Sequence, residues 1–405
     1  MAPKITTPSA TPPAPPPSQR LEKVLVTGGC GFLGFHLVGL LLMDPECGTV
    51  VVVDRDTSRN VHDSPQAEYA TCSITDAAGM AEVLDRVRPE VIFHTASPNS
   101  TYGRRGDFYR TNVTGTETLL RLAKERPFVN ALVYTSSNSV YATPDHRNIR
   151  ESDPIWTGRP APWRGVLEYA WTKGVAHNLV LDANESWRRG GLKTAVVVPA
   201  NIYGARDSQA LSLMFDLFQD LRRPIFQVGK GDNVASFVEA GNCASVHILA
   251  AKAMVEGRPG VAGEAFNAAD GEDVPLWWHT GVACAAIRGQ DVGGAGGVGR
   301  AKVRVVPAWV MWIMVWAIWW GLLFFTLGYM EPPPAFSREG YEWCTETHTY
   351  DIRKARRVLG YAPMSGREWH ETIVREAVEW ERERRWRAKK KERGISKRSG
   401  KLKSK

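Results

Sequence analysis

Thr27-Gly28-Gly29-Cys30-Gly31-Phe32-Leu33-Gly34 decides the fold, because its three spaced glycines follow the apolar run Val24-Leu25-Val26 and lead into an apolar helical stretch from Phe35 to Met43. Gly28 permits a tight turn, Gly31 lets backbone N–H groups approach a pyrophosphate, and Gly34 lets the helix lie close on the strand. A glycine triplet alone is weak evidence, and Asp54 strengthens it. That carboxylate ends the next apolar run, Val50 to Val53, 20 residues beyond Gly34, where it can bind the hydroxyls of an adenosine ribose. A 2′-phosphate would meet a like charge there, so NAD is expected; Arg55 follows directly and leaves NADP open.

The alternation continues outward through Ala77 to Val87, Val91-Ile92-Phe93, Asn112 to Lys124, Leu132-Val133-Tyr134, Glu168 to Trp187 and Ala195 to Val198. Continuous apolar strands separated by helices predict a parallel sheet covered on both faces, a doubly wound α/β domain. Residues 1–20 hold seven prolines and no apolar run, which predicts a disordered arm and no secretory signal. The expected division is then a dinucleotide-binding domain at 21–205, a substrate-binding region at 206–304, a membrane-associated segment at 305–330, the C-terminal part of the substrate region at 331–380, and a basic tail at 381–405.

The chain has 405 residues and a net charge of +8, of which the last 25 carry thirteen Lys/Arg against three Glu. The remaining body is therefore weakly acidic. No base-reading motif accompanies the tail, so nucleic acid is not an expected partner, whereas anionic lipid is. The six cysteines are scattered, with no CxxC pair and no histidine at metal spacing, so reduced thiols and no metal are expected.

Between Arg304 and Glu331 stand 26 uncharged residues, ~39 Å as a helix against a hydrocarbon core of ~30 Å. Trp309, Trp312, Trp316, Trp319 and Trp320 fall largely on one face of such a helix. Tryptophan prefers the membrane interface, which suits a segment lying in the headgroup boundary; a membrane span and a buried core helix are the other readings.

Tyr169-Ala-Trp-Thr-Lys173 puts a phenol and an ammonium one helical turn apart. A nearby cation favours phenolate, so the pair can take a proton from an alcohol as hydride leaves. Thr135-Ser136-Ser137 ends the run before it, at a strand C-terminus where a hydroxyl can reach the reacting oxygen. Tyr350-Asp-Ile-Arg-Lys354 has the same spacing but no strand-end serine ahead of it, and is read as structural, within a basic helix.

In these motifs the chain resembles the extended short-chain dehydrogenases, and within them the 3β-hydroxysteroid dehydrogenase group and its fungal sterol-4α-carboxylate 3-dehydrogenase (decarboxylating) branch. The likeness covers roughly residues 22–365 and rests on TGGCGFLG (27–34), HTASP (94–98), NVTGT (112–116), YTSS (134–137), YAWTK (169–173), PANIYG (199–204), DIRKARRVLGY (351–361) and the apolar stretch before EPP (331–333). The resemblance implies a Rossmann-type fold and NAD, with Ser137 as catalytic hydroxyl and Ser136 as the alternative. It also implies Tyr169 as proton acceptor, Lys173 as its cationic partner holding the nicotinamide ribose, and Asn112 in the proton-relay region. Thr95, Ala96 and Ser97 would line the cofactor with Gly28, Gly31, Phe32, Leu33, Gly34, Asp54, Ser73, Ile74, Pro199 and Ile202. Two positions depart from the family pattern. Ser73 stands where an acidic residue usually holds the adenine amino group, and Phe237-Val238-Glu239-Ala240 replaces a valine–tyrosine–valine run expected near the substrate.

The implied reaction oxidises a sterol 3-hydroxyl to a ketone, with loss of a neighbouring 4-carboxylate. Another polycyclic alcohol, such as a triterpenoid, and a non-catalytic dinucleotide-binding membrane scaffold are the alternatives. A sterol-type substrate, lipid contact through 305–330 and the tail, and the K-x-K-x-x ending at Lys401-Leu-Lys403-Ser-Lys405 together point to the endoplasmic-reticulum membrane, with the catalytic domain facing the cytosol. Oligomerisation is left open. If residues 341–365 complete the catalytic domain, as the resemblance implies, a single crossing would strand them, which favours a monotopic or re-entrant segment.

Overall fold

A computed structural model describes residues 20–402, apart from 101–102, 104–105, 144, 160–166, 187–189, 208–209, 221–224, 291–302, 328–329, 331 and 334–335. The Pro-rich arm up to residue 19, the glycine-rich stretch of 291–302 and the final three residues lie outside the described residues. In chain order the first half comprises β1 (Leu21–Thr27), α1 (Phe32–Met43), β2 (Cys47–Asp54), β3 (Ala67–Thr71), α2 (Ala77–Val87), β4 (Val91–His94), α3 (Thr116–Lys124), β5 (Ala131–Thr135), α4 (Leu167–Asp182) and β6 (Lys193–Pro199). The second half adds β7 (Asn201–Tyr203), α5 (Ala210–Phe218), β8 (Ile225–Val228), β9 (Val234–Glu239), α6 (Ala240–Val255), β10 (Glu264–Ala268), β11 (Asp273–Pro275), α7 (Leu276–Arg288), β12 (Val303–Val306), α8 (Ala308–Thr326), α9 (Arg338–Thr345) and α10 (Arg367–Leu402).

Seven parallel strands form the main sheet in the order β10-β6-β5-β4-β1-β2-β3. Val24 of β1 pairs with Val50 on one side and Val91 on the other, so the chain reverses direction across the sheet at β1. A crevice opens outside the strand C-termini at such a point. The apolar runs bury both strand faces. Val24, Val26 and Val52 pack with Leu37 and Leu41 of α1 and Ala250 of α6. Leu25 and Val51 pack on the other face with Met80, Leu84, Leu119 and Ala176.

The doubly wound sheet follows the reading of the apolar runs, and both of its edges go beyond it. β3 is a half-buried edge strand, and β10 comes from the 206–304 stretch, which also supplies the covering helix α6. The helix expected from Asn112 begins instead as a π-helical turn, Tyr109–Gly115, that passes into α3. Beyond the main sheet stand a three-stranded sheet, β11-β9-β7, and the pair β12–β8.

After α9 the chain returns to the main body. His348 bridges to Ala235 and Tyr350 to Ile149, and then Ile352, Ala355, Leu359 and Tyr361 enter the core shared by α1 and α6. The 381–405 stretch starts inside α10 and not as a free tail. Buried Glu381 binds Arg384 and Arg385 at 2.6 Å each, Arg385 reaches Asp216 of α5, and Arg382 donates to the Ala286 carbonyl at the end of α7.

The apolar stretch forms α8, the one helix among the described residues long and apolar enough to cross a membrane, with mean hydropathy 1.8. Only Met311 and Val315 are buried along it; they pack on Val228, Trp277, Phe336 and Tyr341. Phe324 and Phe325 are 78% and 83% exposed, which excludes a buried core helix. The tryptophans form edge-to-face contacts along α8, Trp312 to Trp316 at 5.4 Å and Trp319 to Trp320 at 4.9 Å between ring centroids, and Trp312 also meets Tyr341 of α9 at 5.3 Å.

Candidate active site

One cavity of about 1350 Å³ lies at the C-terminal ends of the central strands and runs from the glycine turn to the C-terminal segment. At one end the turn after β1 leaves no room for side chains. A Cβ on Gly28, whose φ is +73°, would sit 2.6 Å from Ala96 Cα; one on Gly34 would sit 2.2 Å from the Gly28 carbonyl oxygen. Backbone and α1 are thereby brought together, with the helix N-terminus facing the cavity. Asp54 closes this end, its carboxylate accepting the Cys30 and Asp56 N–H groups at 3.2 Å each. Phe32, Leu33, Ser73 and Ile74 complete this part of the wall, and Thr95, Ala96, Ser97, Pro199 and Ile202 line its continuation. Every residue expected to hold a dinucleotide borders this one space.

At the middle stands Tyr169, on α4. Its ring meets Phe108 edge-on at 5.5 Å, and it borders the same cavity as Ser137 and Ser97. Burial raises the phenol above its ordinary value, and the two serine hydroxyls pull it back. Ser137 leads a short 3₁₀ turn, Asn138–Val140, and its Oγ accepts the Ser139 N–H, which fixes it toward the cavity. The alternative, Ser136, also borders the cavity, but it is buried and its Oγ meets His177 Nδ1 at 3.1 Å.

Lys173 lies one turn beyond Tyr169 and is fully enclosed. Its Nζ donates to the Thr135 carbonyl at 2.7 Å and sits 4.8 Å from the Tyr134 ring centroid. Burial brings this ammonium down to about 7. The serine hydroxyls are the groups that pull the Tyr169 phenol toward its charged form, while Lys173 is held by the strand end.

Asn112 sits behind the wall, in the π-helical turn, and is buried. Its Oδ1 accepts from Ser97 Oγ at 2.9 Å and its Nδ2 donates to Thr172 Oγ1 at 3.2 Å. A second buried chain runs from Thr27 through His94 to Thr116, with contacts of 2.8 and 3.0 Å; burial lowers His94 to about 3, so its ring is neutral.

The far end was not legible in local motifs. Tyr141, His146 and Trp156 face Pro332, Arg338, Glu342, Trp343, Glu346 and His348, which come from nearly 200 residues further on. Tyr350 belongs to this wall too. Its strand-like segment bridges Ile149, its ring tilts against Tyr141 at 6.1 Å, and Lys354 pairs with Glu264. Tyr350 thus stands on the cavity wall, in extended chain and not in the basic helix expected for it. The run 237–240 expected beside the substrate lies behind the wall: Phe237 stacks on His279 at 4.2 Å, and Glu239 caps α6 through the Asn242 N–H.

Comparison with known proteins places the chain among dehydrogenases of this fold. The mouse sterol-4-alpha-carboxylate 3-dehydrogenase, decarboxylating, is 26% identical over 350 residues, 85% of this chain and 88% of its own. The Saccharomyces cerevisiae enzyme of the same name is 29% identical over 64% of this chain and 73% of its own. Among solved structures, an epimerase from Methanothermobacter thermautotrophicus superposes with a TM-score of 0.66 at 19% identity, covering 92% of this chain and 95% of that one. A dTDP-glucose 4,6-dehydratase from Streptomyces venezuelae superposes at 0.64 with 24% identity, over 90% and 98%. These structures share the fold. The description of the 3-beta hydroxysteroid dehydrogenase/isomerase family matches residues 25–281, a stretch that holds both the glycine turn and the Tyr169–Lys173 helix; the chain therefore belongs to that family.

Proposed function

We propose that the protein is an NAD-dependent 3β-hydroxysterol dehydrogenase that acts on a sterol 4α-carboxylate with decarboxylation. The observation that carries this is the placement of Ser137, Tyr169 and Lys173 together on one cavity, between the glycine turn with Asp54 and a large pocket closed by the C-terminal segment. The residues around Gly28, Gly34 and Asp54 fit a dinucleotide, and Asp54 favours the form without a 2′-phosphate. Bound there, NAD supplies the hydride acceptor. The protein's part is to hold the substrate hydroxyl against Ser137 and to take its proton on Tyr169.

Oxidation of a 3-hydroxyl beside a C4 carboxylate yields a β-keto acid. The carbon–carbon bond to the carboxylate then breaks, CO₂ leaves, and the electron pair is delocalised into the new ketone as an enolate, which is protonated at C4. No dedicated decarboxylation base is needed. The decarboxylating sterol dehydrogenases among the relatives support this substrate class.

The exposed apolar side of α8 supports contact with lipid, from which so insoluble a substrate is drawn. Because the chain after α8 returns to pack against Trp312 and then enters the core, a monotopic or re-entrant insertion is favoured over a single crossing. Membrane attachment at the endoplasmic reticulum, with the catalytic body in the cytosol, completes the proposal.

Purified protein given NAD and a 4α-carboxysterol should form NADH and CO₂ in equal amounts, and Tyr169→Phe should lower both by about 10²–10⁴-fold. Turnover of polycyclic alcohols lacking the carboxylate, with none of the acid, would move the substrate to that class. Dinucleotide binding without hydride transfer on either would make the protein a scaffold.

A further inference from the structure

The hydroxyl of Ser137 has a second hydroxyl beside it. Ser139, on the same 3₁₀ turn, places its Oγ 2.9 Å from Ser137 Oγ while its N–H donates to that oxygen at 3.3 Å, and both side chains border the cavity. On the other flank the amide directions follow one from another. Asn201 Nδ2 donates to the Ser236 carbonyl at 2.9 Å, so its Oδ1 is the atom that accepts from Asn138 Nδ2 at 3.3 Å, and Asn138 Oδ1 lies 3.4 Å from Ser137 Oγ. Asn138 thus turns an acceptor toward Ser137, whereas Ser139 brings a hydrogen that can be donated. Among the described lysines and arginines on the cavity wall, Arg55 and Arg59 follow β2, Lys173 is tied to the Thr135 carbonyl, and Arg338 pairs with Glu342 at 2.6 Å. The groups bonded to Ser137 Oγ are instead a hydroxyl, a backbone N–H and an amide oxygen.

We propose that Ser139 is the residue that recognises the substrate carboxylate, and that Ser137 and Ser139 form a hydroxyl pair matched to a β-hydroxy acid. In such an acid the hydroxyl oxygen and the nearer carboxylate oxygen sit on neighbouring ring substituents and come within roughly 3 Å of one another, the spacing of two hydrogen-bonded oxygens. The two serine oxygens are 2.9 Å apart. With the 3-hydroxyl held on Ser137, the carboxylate falls beside Ser139, whose hydrogen leaves Ser137 Oγ for the charged oxygen because a charge-assisted bond is the stronger one. Asn138 Oδ1, an acceptor, repels the carboxylate from the opposite flank and so sets the side on which it lies. Recognition by a hydroxyl also suits a carboxylate that has to depart. An ion pair would hold its charge more tightly in the ground state than in the transition state, where the electron pair passes into the ring as neutral CO₂ forms. The Ser139 hydrogen then returns to Ser137 Oγ.

This inference rests on the reading of the protein as a dehydrogenase of a sterol 4α-carboxylate, and the experiment separates the two. Initial rates at saturating NAD compare a 4α-carboxysterol with the same 3β-hydroxysterol lacking the carboxylate; where the plain sterol is not turned over, its inhibition constant against the acid takes the place of its rate. Ser139→Ala should raise KM for the acid and lower its kcat/KM about tenfold or more, and leave the value for the plain sterol within about twofold. Ser139→Thr, which keeps the hydroxyl, should restore the preference for the acid. Ser139→Cys, a weak donor, should lie between them and gives the reading if the alanine variant does not fold. Equal losses on both sterols in Ser139→Ala would mean that Ser139 only orients Ser137, and would overturn carboxylate recognition. An undiminished preference for the acid in that variant would overturn it as well, while the proposed substrate stood. A wild type that does not oxidise the acid would remove the proposed substrate and the role of Ser139 together.

Discussion

Lys173 is an ammonium enclosed by sheet and helix, and its acidity follows from where it sits. Its folded value of about 7 lies below the ordinary 10.5, so between these values the unfolded chain binds more protons. Its contribution to stability therefore rises with pH across that window, and below about 7 the folded state carries the full cost of a buried charge. Denaturation of wild type and Lys173→Met side by side should show the difference shifting toward wild type by up to about 3 kcal/mol from pH 7 to pH 10. A difference flat with pH would mean that the ammonium is solvated. Single residues were legible where one chemistry explained the spacing, as at Asp54 and Tyr169. Ser97 was legible only as a cavity-lining residue. Its bond to Asn112 depends on the π-helical turn that carries Asn112 meeting the loop after β4, for which a linear sequence holds no signal.

At the scale of elements, the joint between β1 and α1 has the least tolerance. The Gly34 Cα lies so near the Gly28 carbonyl that a methyl group would stand 2.2 Å from a backbone oxygen, which cannot rotate away. Gly34→Ala should cost about 1–3 kcal/mol or more through overpacking, and should abolish the rise in melting temperature that NAD gives wild type. Thermal melts with and without NAD read both effects. Continuous apolar strands were found directly because both faces are buried. β3 was missed because its alternation is that of a half-covered edge, and the π-helical turn at Tyr109–Gly115 was missed because an extra residue per turn leaves no mark on apolar spacing. That turn places Asn112 behind Ser97.

Across the whole molecule, charge and apolar surface are divided. Arg382, Arg384 and Arg385 bind α5, α7 and Glu381, so part of the basic stretch is tied into the body, while residues 388–405 carry nine Lys/Arg against Glu392. Phe324 and Phe325 lie at the opposite end of α8 from the Met311 anchor. Phe324→Ser with Phe325→Ser should reduce co-sedimentation with phosphatidylcholine/phosphatidylserine vesicles at least about tenfold, since each ring buries ~1.5–3 kcal/mol of apolar surface. Turnover of detergent-dispersed substrate should be unaffected. Retained vesicle binding would assign attachment to the basic end alone.

The core of the dinucleotide-binding layer is closed by Ile352, Ala355, Leu359 and Tyr361, which follow α8 in the chain. Synthesis therefore delivers the apolar helix to the outside of the ribosome while the body it hangs from is still open. The nascent chain must shelter α8, in lipid or on a chaperone, before its own catalytic layer can finish folding.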